Sequence, residues 1–283
     1  MSPPPPAQTL RCKGHTLDLS RPLVMGVLNV TPDSFSDGAR FAGAAEAVAA
    51  GLRLAEEGAA LIDIGGESTR PGAPAVEAAE ELRRVIPVIA GLRARTAALL
   101  SVDTSKPEVM AAASEAGAVL INDVRALSAP GALAAARATG CAVCLMHMQG
   151  EPRTMQADPR YTDVLAEVRA FLAARVAACR AAGFAADELL IDPGFGFGKT
   201  VAHNLTLLRG LAELGTVGPP VLVGLSRKSM LGKLTGRDAG ARVYGSVALA
   251  VIAVLNGARI IRAHDVAATV DALKVVAALT EGG

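Results

Sequence analysis

Eight short apolar segments of the chain each end at a polar side chain that could do chemistry. The residues at these ends are Asn29, Asp63, Asp103, Asn122, His147, Asp192, Ser226 with Lys228, and Arg262 with His264. A single Asp, Asn or Ser after a strand is most often a turn or helix-capping residue. Eight such positions, with two different chemical characters, favour a binding pocket.

The polar positions divide into an acceptor-rich group and a cationic group. The first supplies oxygen atoms from Asp103, Asn122 and Asp192; the second supplies positive charge from Arg70, Lys228, Arg262 and His264. The whole chain has 28 Lys and Arg against 27 Asp and Glu, a net charge of +1, so no overall field attracts nucleic acid or an anionic membrane. We therefore expect a local pocket for a small molecule with N–H donors at one end and a phosphate at the other.

The apolar segments are spaced as the strands of a barrel would be. They lie at 23–28, 59–64, 98–102, 117–121, 141–146, 188–191, 220–225 and 258–261. Each is followed by an Ala-rich or Leu-rich segment with charges at helical spacing, such as 44–58. Continuous apolar runs are typical of strands covered on both faces, which predicts a parallel sheet. Eight strand–helix units in a chain of 283 residues favour an α/β fold of one (β/α)8 TIM barrel over an open doubly wound sheet.

The beginning of the chain is predicted to differ from this pattern. Prolines at 3–6 predict a disordered tail over residues 1–9, and two short runs around Lys13 predict an N-terminal β-hairpin at the start of a single domain over 10–283. The first residues lack the apolar core of a signal peptide. The longest dense apolar stretch, 246–255, is shorter than the ~20 residues that span a bilayer. We therefore expect a soluble, cytoplasmic protein with no membrane partner.

Strand alternation predicts which side chains at the strand ends point the same way. Side chains two positions apart share a face, so Arg262 should project with His264. Ser226 should likewise project with Lys228, whereas Arg227 should point outward into an ion pair. The last two strands of TIM barrels are also where phosphate commonly binds.

Two sequence motifs invite a functional interpretation that the residues do not support. Cys141 and Cys144 form a C-x-x-C, but no second cysteine pair exists, and the segment is typical of a buried strand rather than a zinc or redox site. The segment DPGFGFGKT at 192–200 fails the P-loop pattern because Pro193 stands where a glycine is needed. Its three glycines indicate either close approach to a flat ligand or a mobile turn. We expect Lys199, on this turn, to be a solvated charge.

Together, the segments at the strand ends resemble the dihydropteroate synthase family. The segments that carry the resemblance are MGVLNVTPDSFSDG, DIGGESTRPGA, VDTSKPEV, INDV, MHMQGEPRTMQ, DPGFGFGK, LVGLSRKS and IIRAHDV, which begin at residues 25, 63, 102, 121, 146, 192, 222 and 260. They keep the family's order and spacing from about residue 23 to 280. The resemblance implies a barrel that joins 6-hydroxymethyl-7,8-dihydropterin diphosphate to p-aminobenzoate, releasing pyrophosphate and 7,8-dihydropteroate.

The same resemblance implies a role for each site residue. The pterin would be bound by Asp103, Asn122, Asp192 and Lys228. The pyrophosphate would be held by Asn29, Arg70, Arg262 and His264. The p-aminobenzoate would be surrounded by Phe35, Thr69, Pro71 and Ser226. Asn29 would also contact Mg²⁺, the implied cofactor. The residues with implied catalytic roles are Asn29, Arg70, Lys228, Arg262 and His264.

Other functions and assemblies stay open at this point. A pterin-binding methyltransferase domain shares the barrel, but it handles no pyrophosphate and has no use for Arg262 and His264. A non-catalytic paralogue would be expected to have lost Asn29, Lys228 or Arg262, and all three are present. A phosphate-binding barrel with another substrate is the third alternative. The segment 243–257 and the last helix could form a homodimer surface or could be ordinary barrel packing.

Overall fold

Eight parallel strands close into a barrel in the structure, a computed structural model that describes residues 9–31, 40–68, 72–151 and 154–281. An antiparallel pair precedes the barrel, β1 (Thr9–Cys12) and β2 (His15–Asp18). The barrel strands are β3 (Leu23–Asn29), β4 (Leu61–Gly65), β5 (Leu99–Asp103), β6 (Leu120–Asp123), β7 (Ala142–Met146), β8 (Leu189–Asp192), β9 (Val221–Val223) and β10 (Ala258–Ala263). They are neighbours in chain order, and β10 pairs with β3 to close the ring.

Helices follow the strands and cover the outside of the barrel. They are α1 (Arg40–Glu56), α2 (Ala78–Arg93), α3 (Pro107–Ala116), α4 (Ala132–Thr139), α5 (Val164–Ala181), α6 (Val201–Arg209), α7 (Leu211–Leu214), α8 (Ser229–Thr235), α9 (Val243–Leu255) and α10 (Val266–Glu281). The prediction of a TIM barrel with an N-terminal hairpin is therefore confirmed. Residues 1–8 of the predicted tail lie outside the described residues. Its last residue, Thr9, is instead the first residue of β1, where it pairs with Asp18, so the tail prediction is wrong at that position.

Burial on both faces explains why the barrel strands have continuous apolar sequences. Every residue of β4, β6, β7, β8 and β9 is buried, because helices cover one face and the barrel interior covers the other. All four cysteines are free and buried, so Cys141 and Cys144 are core residues as predicted. Within the described residues, no helix is both long and apolar enough to cross a membrane.

The hairpin contributes to the packing at one end of the barrel and leaves the other end to polar residues. Leu10, Cys12 and Leu19 belong to the same buried cluster as Leu61 and Leu120, which begin β4 and β6. Apolar side chains therefore fill the end where the strands begin. The polar residues sit at the opposite end, where TIM barrels carry their active sites.

Candidate active site

The carboxyl ends of the barrel strands bring the predicted polar residues to one end of the fold. Asn29, Asp103 and Asp192 are the last residues of β3, β5 and β8, and Asn122 lies near the end of β6. The paired strands keep these positions in register, since Asn29 is opposite Gly65, and Gly65 is opposite Asp103. The expected convergence of distant chain segments is therefore present.

A buried carboxylate, Asp63, lies at the centre of the polar network. It is fully buried and accepts hydrogen bonds from Ser101 Oγ (2.6 Å), Asn122 Nδ2 (2.9 Å) and Arg262 Nε (2.6 Å). From the sequence, Asp63 is expected only at the end of a strand, with no functional role. The available signal was a charged residue between Ile62 and Ile64, because Asp is almost never fully buried unless it is paired.

Arg262 joins the acceptor-rich group instead of a separate cationic group. Its Nε contacts Asp63, and its Nη2 donates to Asp103 Oδ2 at 2.9 Å. The predicted separation of acceptors from cations is therefore not observed, because two carboxylates buried without a cation would carry a large desolvation penalty. Burial alone would lower the pKa of Arg262, but the charges of Asp63 and Asp103 raise it.

Of the two carboxylates assigned to the pterin, Asp192 is buried and Asp103 is partly buried. Burial raises the pKa of Asp103, while the adjacent Arg262 opposes that shift. Burial also raises the pKa of Asp192, against a hydrogen bond of 2.7 Å that its Oδ1 accepts from the backbone N–H of Gly194. Both groups are strong acceptors in a place with little water, which is where a hydrogen bond to a ligand has most effect.

Asn122 is held in one orientation by its neighbour. Because Nδ2 donates to Asp63, the amide cannot exchange its oxygen and nitrogen without losing that bond. The side chain is nearly buried, and its amide retains an acceptor oxygen and a second N–H donor. It can therefore serve the mixed edge of a heterocyclic ring.

The turn after β8 packs directly against the end of β7. A Cβ atom at Gly194 would lie 1.9 Å from the carbonyl oxygen of His147, and one at Gly198 would lie 2.4 Å from that of Gln149. Both glycines also have positive φ angles, 67° and 62°. Glycine is thus required at these positions because the turn lies against the backbone of His147 and Gln149. The sequence had indicated a close approach to a flat ligand or a mobile turn instead.

The expectation that Lys199 is a solvated charge is wrong. Its side chain is 3% exposed, and Nζ donates to the carbonyl oxygens of Gly194 and Phe197 at 2.9 Å each. Nζ also lies 2.9 Å from Nδ1 of His147. The turn folds back over its own lysine, so carbonyl groups replace the water that a surface lysine would have.

Lys228 stands above an aromatic ring of the same turn. Its Nζ lies 4.2 Å from the ring centroid of Phe197, a cation–π contact. Because β9 ends at Val223 and Arg227 has a positive φ of 57°, strand alternation does not extend to Ser226 and Lys228. The shared face expected for Ser226 and Lys228 therefore has no strand to define it and stays a prediction. Arg227 does point outward as predicted, into an ion pair with Asp265.

His264 is a neutral group rather than a cation. Its Nδ1 lies 3.1 Å from Ser226 Oγ, and its backbone N–H donates to the same oxygen at 3.1 Å. Burial, followed by the charges of Arg262 and Arg227, lowers the pKa of His264 to about 4. At neutral pH the imidazole is therefore uncharged, which corrects its assignment to the cationic group, although its ring N–H can still donate to an anion.

Comparison with known proteins identifies the family. The model of the pterin binding enzyme family matches residues 25–264. The dihydropteroate synthase of Escherichia coli (strain K12) is 54% identical over 269 residues, which is 95% of each chain. The chain belongs to the dihydropteroate synthase family.

Two solved dihydropteroate synthases share the fold over almost their whole length. The Xanthomonas albilineans enzyme with 4-aminobenzoic acid has a TM-score of 0.92 and 57% identity, covering 97% of this chain and 98% of that one. The Yersinia pestis enzyme with a sulfonamide drug has a TM-score of 0.92 and 54% identity, covering 97% and 100%. The fold and family of the chain are thereby established.

Four residues with roles implied by the dihydropteroate synthase resemblance are Phe35, Thr69, Arg70 and Pro71, which lie outside the described residues. Their contacts stay predictions. The described parts of the loop after β4 are anchored by Glu67, which accepts from the backbone N–H of Val76 (3.1 Å) and from Lys106 Nζ (2.5 Å). Lys106 also donates to Glu81, a fully buried carboxylate.

The donors near Asn29 fit a Mg²⁺ ion that is bound largely through its substrate. Asn29 is half-buried and offers a neutral amide oxygen at the end of β3, whereas Asp63 and Asp103 already pair with Arg262. Among the described residues there is no cluster of three His, Cys, Asp or Glu side chains that could hold a metal. Mg²⁺ is commonly bound by one or two protein oxygens together with substrate phosphates. The residues therefore suit such an ion.

Proposed function

We propose that the protein condenses 6-hydroxymethyl-7,8-dihydropterin diphosphate with p-aminobenzoate to give 7,8-dihydropteroate and pyrophosphate. The observation that carries the proposal is the juxtaposition of two carboxylate acceptors, the partly buried Asp103 and the buried Asp192, with the guanidinium of Arg262 at one end of the barrel. A ligand with N–H groups and a diphosphate needs hydrogen-bond acceptors for the N–H groups and a cation for the diphosphate.

The pterin end is assigned to Asp103, Asn122, Asp192 and Lys228. Carboxylates accept from the exocyclic amine and N3–H of the ring, the amide serves a mixed edge, and the lysine donates to the ring carbonyl. The buried positions of Asn122 and Asp192 and the partial burial of Asp103 support this assignment, since acceptors are most selective where water cannot replace the ligand. Phe197, beneath Lys228, offers a ring face toward the same region.

The diphosphate end is assigned to Asn29, Arg70, Arg262 and His264. A guanidinium has five N–H donors, and Arg262 uses two of them on Asp63 and Asp103, which leaves three for phosphate oxygens. His264, neutral in the free protein, donates one N–H. Mg²⁺, when bound beside Asn29, would neutralise part of the charge of the leaving pyrophosphate.

The reaction needs charge stabilisation more than proton abstraction. The nitrogen of p-aminobenzoate carries a free lone pair at neutral pH and forms a C–N bond to the pterin methylene, while the C–O bond to pyrophosphate breaks. The nitrogen then loses one proton, which the released pyrophosphate or water accepts. The electron-rich ring stabilises positive charge on the methylene. Arg262 and His264 stabilise the negative charge on the departing group, which is usually the largest contribution to catalysis of this kind.

The p-aminobenzoate is assigned to four residues: Thr69, Pro71, Phe35 and Ser226.

A coupled assay for pyrophosphate release tests the proposal against its alternatives. We expect pyrophosphate and 7,8-dihydropteroate to form together, and only when both substrates are present. Pyrophosphate release without the arylamine would indicate a hydrolase acting on the diphosphate. Pterin binding without pyrophosphate release would indicate a methyltransferase domain or a non-catalytic paralogue. Either result would overturn the proposed reaction.

We also propose a homodimer formed through α9 and α10. These helices expose apolar side chains that a monomer would leave in water: Tyr244 (85% exposed), Ile252, Leu255, Val275 and Leu279. Sedimentation velocity should give about twice the mass of one chain, and a Val275→Glu variant should sediment as a monomer. A monomeric wild-type protein at micromolar concentration would contradict the assignment.

A further inference from the structure

A buried lysine outside the proposed substrate contacts holds the turn between β8 and α6 together. Nζ of Lys199 donates to the carbonyl oxygens of Gly194 and Phe197, and it lies 2.9 Å from Nδ1 and 3.4 Å from the carbonyl oxygen of His147. The ammonium thus connects two carbonyl groups of the turn to the residue that follows β7. Lys199 therefore ties the turn to itself and to the end of β7, while Gln156 and Tyr161 donate to the carbonyl oxygens of Gly196 and Gly198.

The chemistry of this environment is unusual for a lysine. Within the described part of the chain, its hydrogen-bond partners are carbonyl oxygens and one imidazole nitrogen rather than a carboxylate. Burial lowers the pKa of Lys199 to about 7. The charge of Asp192 opposes that shift, but none of the described carboxylates is hydrogen-bonded to the ammonium. Because a buried lysine without such a partner costs stability, its position is better explained by the turn geometry that it supports than by a contribution to folding.

Two groups assigned to the pterin depend on that turn. The backbone N–H of Gly194 donates to Asp192 Oδ1 at 2.7 Å, and the carbonyl of the same Gly194 accepts from Lys199. The ring of Phe197 lies under Lys228 Nζ, and the carbonyl of Phe197 accepts from Lys199. Lys199 is therefore linked to two groups of the pterin site through one intervening residue each. Gly194 links it to the acceptor Asp192, and Phe197 links it to the cation Lys228.

We propose that Lys199 is a positioning residue, which sets the relative placement of Asp192 and Lys228 through the backbone carbonyls of Gly194 and Phe197. The proposal deepens the proposed function and rests on its assignment of Asp192 and Lys228 to the pterin. Lys199 itself touches no substrate atom in this scheme. Its loss should therefore weaken recognition of the pterin and leave recognition of the arylamine nearly unchanged.

The test compares Lys199→Met with Lys13→Met as a matched control. Lys13 also donates through Nζ to a carbonyl oxygen, that of Ser114 at 2.9 Å, but it lies in the β1–β2 turn, away from the site. Calorimetry with 6-hydroxymethylpterin should show a dissociation constant raised about 10-fold or more by Lys199→Met, the loss expected for misplaced hydrogen bonds to a ligand. Lys13→Met should leave the constant within about twofold.

Steady-state kinetics separate positioning from general loosening of the fold. In Lys199→Met the KM for the pterin diphosphate should rise about 10-fold, while the KM for p-aminobenzoate, measured at saturating pterin, should stay within about twofold. Equal increases in both KM values, or an unchanged pterin dissociation constant, would overturn the proposal. If wild-type protein fails to bind the pterin, the proposed function fails instead, so the two failures are distinguishable.

A second residue keeps the test decisive if Lys199→Met does not fold. Gln156 Nε2 donates to the carbonyl oxygen of Gly196, so it holds the same turn from a half-buried position. Gln156→Ala should raise the pterin dissociation constant in the same direction by about 3-fold.

If Lys199→Met does fold, a double variant of Lys199→Met and Phe197→Leu gives a further test. Its effect on the dissociation constant should be less than the product of the two single effects, because both substitutions act through one contact. An unchanged constant in Gln156→Ala, or fully multiplicative effects in the cycle, would overturn the proposal.

Discussion

Replacement of Arg262 by Met should separate the contribution of the guanidinium to folding from its contribution to turnover. Met keeps much of the volume of the side chain but removes the two charge-assisted hydrogen bonds to Asp63 and Asp103. Asp63 retains its bonds from Ser101 and Asn122, whereas Asp103 loses the cation that opposes its raised pKa. The variant therefore buries two carboxylates without their partner.

The magnitude follows from this loss. Removing one partner of a buried ion pair destabilises a protein by about 3 to 5 kcal/mol, because the remaining charge is not compensated. A carboxyl group can have a higher pKa in the folded protein than in the unfolded protein. Such a group destabilises the fold progressively as the pH rises from the lower pKa to the higher one. The stability deficit of Arg262→Met should therefore be smaller near about pH 5, where Asp103 can bind a proton, than near about pH 8.

Urea unfolding at both pH values measures the effect, with Arg227→Met as the control. Arg227 also pairs with a carboxylate, Asp265, but its side chain is 38% exposed, so its loss should cost no more than about 1 kcal/mol at either pH. Pyrophosphate release by the folded fraction of Arg262→Met should fall by about 100-fold or more, as in other losses of one electrostatic donor. A deficit that is independent of pH, or no larger than that of the control, would refute the reasoning about the buried carboxylates. Near-normal turnover would refute the assignment of Arg262 to the leaving group.

Three further predictions concern the pterin, acid stability and the arylamine. Asp192→Asn places a donor against ring N–H groups and should weaken pterin binding by about 1 to 3 kcal/mol; unchanged affinity in calorimetry would remove Asp192 from the pocket. Burial and Lys199 lower the pKa of His147 to about 3, so the stability that a neutral His147 contributes should be lost as the pH falls from about 6.5 to about 3. In His147→Gln, urea midpoints should decline less over that interval; an identical decline would contradict this. A sulfonamide should bind at least about 10-fold more tightly once pyrophosphate and Mg²⁺ are present, because Arg70 gains its strongest contact from the anion; equal affinity in the two titrations would exclude ordered binding.

The sequence alone determined the barrel and the end of it that carries the polar residues. A strand covered on both faces must be apolar along its whole length, so eight such segments with helices between them have few other solutions. Asp103, Asn122 and Asp192 could be placed because each directly ends such a segment, and strand order then brings them together. The outer ion pair expected for Arg227 is confirmed by its contact with Asp265, although β9, whose alternation predicted it, ends at Val223.

Partners and protonation states were decided only by the tertiary structure. Arg262 and Asp63 are 199 positions apart, and no local pattern indicates that a guanidinium assigned to phosphate also neutralises a buried carboxylate. Lys199 has the sequence context of a solvated turn residue, yet the glycines beside it let the turn close over its ammonium group. His264 is neutral because burial and nearby arginines act on it together. Each of these properties depends on desolvation and on charges from distant strands, which act through space and leave no periodic signal in the chain.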